Sequence, residues 1–347
     1  MSKYRTHLIV SLNDGEIIKG LKFPNHSLIL HNEPTTCFWE SKDVKSYSYY
    51  TGGIDRKDVR DNDIPQYELI IQSESEEHTE DLLSIIHGGM LLAYPEPSLT
   101  NHFTFITEID EADETYEKMY LEQSFKNNFK RLENLGFGCQ LANVIINEKK
   151  SIYALEKYKV SLELSSFTPH SANPIYGQVF KNYDVRHQNH TRSAFAIISA
   201  FSVIEELGLE IRSSSKKPRF TDKNKGTWNE KVLKNIEERL EKSGISNDMT
   251  FDWIYRGSPT RIEDELKPFF GFDSQWVKYR DDIRDKTLTF PEAIHNASYL
   301  RNFIAAHKFN ELTQYISPYD VFNIQSLARQ LILRKLGLWE TMLNRYK

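Results

Sequence analysis

The sequence has few cysteines and no long apolar run, and each absence excludes a class of protein. Only Cys37 and Cys139 occur among 347 residues, too few for a disulfide framework or a cysteine-based zinc site. No stretch approaches the ~18 consecutive apolar residues that a membrane-spanning helix needs. We therefore expect no membrane segment, and we expect a reducing, cytoplasmic environment.

The chain also lacks an excess of positive charge and a phosphate-binding glycine loop. Its 44 Lys and Arg residues are outnumbered by 49 Asp and Glu residues, which gives a formal net charge of −5. Any attraction to nucleic acid must therefore be local. The pairs Gly52-Gly53 and Gly88-Gly89 lack the spacing of a phosphate-binding loop, and we expect no cofactor.

What the chain does contain is a change of pattern near Asp110. Before it, short segments rich in strand formers surround one helical segment at Ser75–Leu92. After Thr115 the apolar spacing is helical. The sequence therefore predicts a small α+β sensing or regulatory domain over residues 1–112 and an all-α helical bundle over residues 113–347. The predicted strands are His7–Leu12, Ser27–Leu30, Tyr67–Ile71 and His102–Ile109, and the helices of the bundle are Tyr116–Leu135, Gln140–Ser166, Arg192–Leu209, Lys225–Gly244, Pro291–Phe309 and Pro318–Leu336.

The helix predicted at Pro291–Phe309 carries the strongest candidate site. A proline at the first helical position marks its start. On a helical wheel, an apolar stripe lies within about 60° of Leu300. The stripe consists of Ala293, Ala297, Leu300, Phe303 and Ile304. His307 falls about 20° from Leu300 and Arg301 about 100° away. A titratable ring on an apolar face is costly to bury without a partner, which suggests a site.

Arg301, Asn302 and His307 together carry the chemistry that metal-independent RNA cleavage needs. A histidine can transfer a proton near neutral pH, and an arginine can neutralise a phosphate. Asn302 can orient a group or hydrogen-bond the phosphate. Arg301 and His307 are separated by about 120° and ~9 Å along the axis. They converge only if the arginine folds over, or if a second copy of the helix faces the first across a two-fold axis.

Both charged residues also have an ordinary structural interpretation. His307 can be a core histidine bonded to a backbone carbonyl. Arg301 can form an ion pair with an acid of a neighbouring segment, such as Asp281, Asp282 or Asp285. The catalytic interpretation requires both side chains to face a cleft that water can reach, whereas the structural interpretation places them in the core or in an ion pair.

The motif resembles that of the HEPN superfamily, in which an Arg, four to six residues and a His lie on a late helix of an α-bundle. The second residue is often Asn, as Asn302 is here. The resemblance covers roughly residues 115–345. It implies a metal-independent endoribonuclease, usually a homodimer, with Arg301 and His307 in a composite cleft. It also implies a role in toxin–antitoxin or phage-defence systems, with an antitoxin or regulatory partner.

The resemblance implies a supporting acid as well. In many such families an acidic or polar residue on an earlier helix supports the site, and here we expect it at Glu205 or Glu206. A surface-facing acidic pair is the alternative. Some members of the superfamily lack activity, so the alternative function is a non-catalytic interaction or RNA-binding module.

A basic segment at Arg212–Lys225 is the second candidate for contact with RNA. It reads as a long polar loop with six basic residues against Asp222 alone. Local positive charge with an interleaved Phe220 suits a phosphate backbone, whereas a solvated surface loop is the alternative. The predicted RNA contacts are Lys216, Lys217, Arg219 and, in a separate turn, Arg256.

No metal site is predicted. His187 and His190 precede an apolar helix, but no third ligand is evident in the sequence. Asp281, Asp282 and Asp285 are interleaved with basic residues, which is typical of a salt-bridged helix face.

Overall fold

The computed structural model describes the chain in separate stretches, namely residues 1–10, 22–23, 28–31, 67–94, 97, 99, 107–108, 130–131, 134–166, 187–209, 211, 213–214, 216–222, 224–246, 249–255, 284–302, 316 and 318–344. Contacts divide the chain into two units. The first comprises Met1–Ala93 and Thr100–Lys149, and the second comprises Tyr94–Leu99 and Lys150–Lys347. Within these stretches, no helix combines the length and apolar character needed to cross a membrane.

A five-stranded sheet forms part of the first unit. Its strands are β1 (Ser2–Val10), β2 (Leu28–His31), β3 (Tyr67–Ser73), β4 (Thr107–Glu108) and β5 (Lys130–Arg131). The order is β2-β3-β1-β4, and β5 pairs with β1 in parallel. β1 and β3 run antiparallel, so that Ser2 lies opposite Ser73. The strands predicted near β1, β2 and β3 are confirmed.

Two helices of the first unit, α1 (Glu76–Ala93) and α2 (Leu135–Ile145), approach each other through a glycine from each. A Cβ added to Gly138 would lie 2.5 Å from the carbonyl oxygen of Ile86. A Cβ added to Gly89 would lie 2.9 Å from the Cα of Gly138. Because any side chain here would overlap backbone atoms, the crossing requires glycine. α1 confirms the helix predicted at Ser75–Leu92.

The helix predicted at Tyr116–Leu135 is wrong at its C-terminal end, and its residues before Lys130 lie outside the described residues. Lys130–Arg131 is the strand β5, and α2 begins at Leu135 and runs through Gly136 and Gly138. At Gly138 the absence of a side chain lets α2 approach α1. Since β5 pairs with β1 and α2 packs on α1, both belong to the first unit, which extends to Lys149 rather than ending at the predicted residue 112.

The second unit is mostly helical. Its helices are α3 (Lys149–Leu164, beginning at the last residue of the first unit), α4 (His187–Glu206), α5 (Glu230–Lys242), α6 (Phe290–Leu300), α7 (Pro318–Lys335) and α8 (Trp339–Asn344). α4 packs on α7, and α6 contacts α4, α5 and α7. α3 and α4 are joined by a hydrogen bond from Ser199 Oγ to the carbonyl of Lys157 at 2.8 Å. The single helix predicted at Gln140–Ser166 is wrong, because α2 ends at Ile145 and α3 begins at Lys149. α4, α5 and α7 confirm the helices predicted at Arg192–Leu209, Lys225–Gly244 and Pro318–Leu336, with shifted ends.

Buried polar contacts also join α3 to α7. Gln325 is fully buried, and its Nε2 donates to the carbonyl of Ser161 at 3.0 Å and to that of Ser165 at 2.7 Å. The Oγ of Ser161 in turn donates to the carbonyl of Ala196 on α4 at 2.9 Å. A single core glutamine therefore satisfies the carbonyl groups near the end of α3.

The prediction that this region is all-α is wrong, because it also contains short antiparallel strands. They are β6 (Phe220–Asp222), β7 (Thr227–Trp228), β8 (Thr250–Tyr255) and β9 (Arg284–Thr289). β6 pairs with β7, and β8 pairs with β9. Phe251 and Trp253 alternate with more exposed residues and are 2% and 1% exposed, as expected for a half-buried strand. Asn323 of α7 donates to the carbonyl of Ile254 at 2.8 Å and accepts from its amide at 2.9 Å.

The C-terminal end of α5 lies where the sequence predicts it. Val232, Ile236 and Leu240 recur every four residues and are buried, so one face of the helix is apolar. Gly244 has a φ of 74° and directly follows the C-cap, as predicted. The start differs from the prediction, because Thr227 and Trp228 belong to the strand β7.

α6 begins as the sequence predicts. Thr289 is its N-cap, and a capping box links it reciprocally to Glu292, at 3.3 Å and 2.8 Å. The stripe residues Ala293, Ala297 and Leu300 are all buried. The backbone continues with a π-helical turn at Arg301 and Asn302. The rest of the predicted helix, including His307, lies outside the described residues.

Candidate functional site

The end of α6 presents Arg301 and Asn302 side by side, both half-buried. Nη1 of Arg301 donates to Oδ1 of Asn302 at 2.6 Å. Nδ2 of Asn302 donates to the backbone carbonyl of Ser213 at 3.1 Å. Both ends of the amide are therefore engaged, and Asn302 orients Arg301 rather than presenting a donor to an incoming group.

No carboxylate neutralises Arg301 among the residues that the structure describes. Its only hydrogen bond there is the one to Asn302, and its Nε is buried without a partner. Of the acids considered for an ion pair, Asp281 and Asp282 lie outside the described residues, and of Asp285 only the backbone, in β9, is described. A guanidinium that is fixed by a neutral amide retains its full attraction for an anion.

Ser298 lies one turn before Asn302 and is fully buried. Its Oγ donates to the carbonyl of Ile211 at 2.6 Å and accepts from the amide of Ser213 at 2.9 Å. With the bond from Asn302, three hydrogen bonds hold the backbone at Ile211 and Ser213 against α6. The predicted basic segment is therefore anchored to the helix that carries Arg301.

Lys216 and Lys217 lie on the surface of this segment, both exposed. The turn that carries them is closed by Ser214 and Lys217, whose backbone groups exchange hydrogen bonds of 2.9 Å and 3.3 Å. The two ammonium groups therefore come from an ordered turn, and the segment continues into the hairpin β6–β7 instead of forming the long loop that the sequence suggested.

Arg219, from the same segment, points inward and is only 2% exposed. Its Nη1 donates to Oδ1 of Asn296 on α6 at 2.6 Å. Its guanidinium carbon lies 3.9 Å from the ring centroid of Tyr299 and 4.9 Å from that of Phe220. The charge of Arg219 is thus directed at α6 and its aromatic neighbours rather than at solvent, unlike the two lysines.

His295 is a buried histidine that the sequence did not single out. It is fully buried, with its ring centroid 6.1 Å from that of Trp228. Burial, and secondly the charge of Arg219, lower the pKa of His295 from 6.5 to about 4, although the Lys217 backbone favours the protonated form slightly. Within the described part of the chain, neither ring nitrogen meets a partner with full hydrogen-bond geometry. The ring is therefore neutral at physiological pH.

The expected supporting acid lies on α4. Glu205 and Glu206 are both half-buried at the end of that helix. Glu206 forms an ion pair with Lys157 of α3 at 2.5 Å, whereas Glu205 has no ion pair among the described residues. No hydrogen bond or ion pair links Glu205 to Arg301 within the described stretches. Arg256 lies outside them.

No group of three or more potential metal ligands occurs in the part of the chain that the structure describes. The chain also has no match among protein-family models, curated proteins or solved structures. Function must therefore be inferred from the geometry of these residues and from the motif in the sequence.

Proposed function

We propose that this chain is a metal-independent endoribonuclease that acts as an RNA-cleaving toxin or defence effector. Arg301 holds the phosphate, Asn302 orients Arg301, and His307 transfers protons. The exposed Lys216 and Lys217 bind the RNA backbone. The observation that carries the proposal is the state of Arg301, which is fixed by a neutral amide and has no carboxylate partner among the described residues.

In the proposed reaction, a base removes the proton of a ribose 2′-hydroxyl, whose oxygen attacks the adjacent phosphorus. The bond from phosphorus to the 5′-oxygen breaks, and an acid protonates that oxygen. The products are a 2′,3′-cyclic phosphate and a 5′-hydroxyl. Two copies of His307, one from each subunit of a homodimer, supply the base and the acid. Arg301 offsets the charge that develops on the phosphate oxygens.

The test is cleavage of mixed RNA by the purified protein in the presence of a chelator. We expect fragments that end in cyclic phosphate. Arg301→Ala is expected to lower the rate about 10²–10³-fold, as removal of a charge-stabilising donor does, and His307→Ala about 10²–10⁴-fold. The thermal midpoint of Arg301→Ala should stay close to that of the parent.

Arg239→Ala is the matched control for Arg301. Arg239 is half-buried too, lies in the same unit, and also bonds a single asparagine, Asn235, at 3.2 Å. The Arg239→Ala variant should cleave RNA at the rate of the parent. Equal loss of activity in both variants, or full activity in Arg301→Ala, would contradict the proposal.

A second candidate function is a non-catalytic module that binds RNA or pairs with itself or a partner. It is favoured by exposed apolar side chains on α3 and α4. Tyr153 and Val160 are 62% and 44% exposed, and their seven-residue spacing places them on one face of α3. Phe195 of α4 is 55% exposed. RNA that is bound but remains intact at high protein concentration would favour this function over the nuclease.

A further inference from the structure

The contacts between α6 and the basic segment form a small hydrogen-bonded ladder. Ser298 and Asn302 are four residues apart and so lie on one side of the helix. Together they bond both backbone groups of Ser213, the amide through Ser298 and the carbonyl through Asn302. Ser298 also bonds the carbonyl of Ile211. The side chains of the helix thus engage the segment much as a neighbouring strand would.

Asn302 couples this ladder to Arg301. Its Nδ2 bonds Ser213 and lies 3.5 Å from Oγ of Ser298, while its Oδ1 accepts from Arg301. Rotation of the amide would break the bonds to Arg301 and Ser213 together. The position of the segment and the direction of the guanidinium are therefore set by the same side chain.

The far end of the segment is fixed independently. Arg219 is held by Asn296 and lies over the ring of Tyr299, both on α6. Lys216 and Lys217 lie between this anchor and the one at Ser213. Their exposed charges are therefore displayed by a turn that is attached to α6 on both sides.

We propose that Ser298 is a positioning residue for RNA binding, because it sets the turn of Lys216 and Lys217 relative to Arg301. This inference rests on the proposed function. Ser298 touches no substrate, since it is fully buried. Loss of its hydroxyl leaves the Ile211 carbonyl and the Ser213 amide without their partner. The bond from Asn302 to Ser213 and the contacts of Arg219 still tie the segment to α6, but with two of the three bonds at Ile211 and Ser213 lost, the turn of Lys216 and Lys217 shifts relative to Arg301.

The experiment measures RNA binding by Ser298→Ala at several salt concentrations, in a His307→Ala background that prevents cleavage. Each phosphate contact contributes roughly 0.7 to the slope of log affinity against log salt for a single strand. If Lys216 and Lys217 both lose their phosphate contacts, the magnitude of this slope falls by about 1.4. The same change made in a Lys216→Ala, Lys217→Ala protein should have little further effect on the slope.

Ser199→Ala is the matched control, since Ser199 also bonds a backbone carbonyl between two elements of this unit. It should keep the parental slope. Ser298→Cys retains a weaker donor and acceptor at the same position, and it should fall between parent and alanine variant. It also supplies the binding measurement if the alanine variant does not fold. Hydrogen exchange at the Ser213 amide gives a readout without RNA and should accelerate in Ser298→Ala.

The outcomes separate the two claims. Parental affinity and slope in a folded Ser298 variant, with faster exchange at Ser213, would overturn the positioning role while leaving the nuclease intact. Equal losses in Ser298→Ala and Ser199→Ala would also overturn it, because they would indicate general destabilisation. If the unmodified protein neither binds nor cleaves RNA, the proposed function falls and this inference falls with it.

Discussion

The buried His295 makes the stability of the second unit depend on pH in a way that can be calculated. Its pKa is about 4 in the folded chain, and 6.5 is the ordinary value that applies when the chain is unfolded. Between these values the unfolded chain binds more protons, so folding loses stability as the pH falls. The stability that the folded chain keeps because His295 is neutral is fully present above pH 6.5. It is lost progressively as the pH falls toward 4.

The magnitude follows from the shift of the pKa. A lowering of the pKa from 6.5 to about 4 corresponds to roughly 3 kcal/mol of unfolding free energy, at about 1.4 kcal/mol per unit. Of this, about 2 kcal/mol is lost by pH 5 and about 3 kcal/mol by pH 4. The cause is that a proton on His295 would place a charge in a buried site beside Arg219.

The assay compares the parent with His295→Gln, which does not titrate. Urea unfolding followed by tryptophan fluorescence at pH 7.5, 6 and 5 gives the unfolding free energies, and Trp228 lies close to the substituted ring. The advantage of the parent over the variant should shrink by about 2 kcal/mol between pH 7.5 and pH 5. Because carboxylates titrate in both proteins, only the difference is informative. A difference that is constant with pH would refute the claim that burial keeps His295 neutral.

Two further substitutions test the packing of each unit. Gly138→Ala should destabilise the first unit by about 1–3 kcal/mol, since its Cβ would lie 2.5 Å from the Ile86 carbonyl oxygen; a gain of ~1 kcal/mol from helix propensity offsets part of this. A denaturant midpoint equal to that of the parent would show that the helices separate without cost. Gln325→Leu should cost about 2 kcal/mol in the second unit, because the carbonyls of Ser161 and Ser165 lose a buried donor. An unchanged unfolding free energy would mean that water replaces the amide.

Local signals in the sequence predicted local structure well. The start of α6 was predicted from Pro291, which lies in the first turn of the helix, although the capping box of Thr289 and Glu292 was not predicted. The end of α5 is marked by Gly244. In both cases the structure depends on residues that are close together in the sequence, so a short stretch is enough to predict it.

Contacts between distant parts of the chain could not be predicted in this way. His295 lies about 140° from Leu300 on the helical wheel, opposite the apolar stripe, yet it is buried, with Trp228 of β7 and the Lys217 backbone of the basic segment on that side. Arg219 was counted with the exposed charges, but an asparagine and a tyrosine of α6 hold it inside. β8 and β9 were missed because the partners Thr250 and Thr289 are far apart in the sequence.

Arg301 and Asn302 were predicted as site residues from the motif alone, whereas Ser298 was not predicted. A serine within a helix carries no distinctive signal, and its importance depends on a backbone segment more than 80 residues earlier, at a separation of 87 residues from Ile211. The role of His307 stays a prediction from the motif.

The contact of Asn323 with β8 has a consequence for the behaviour of this protein in concentrated solution. The amide of Asn323 occupies both the N–H and the carbonyl of Ile254, the groups through which another strand would have to add. An uncovered strand edge is a common starting point for aggregation between chains. Here an incoming strand would first have to displace a fully buried side chain of α7 from Ile254, so a single asparagine blocks pairing at this point of the β8 edge.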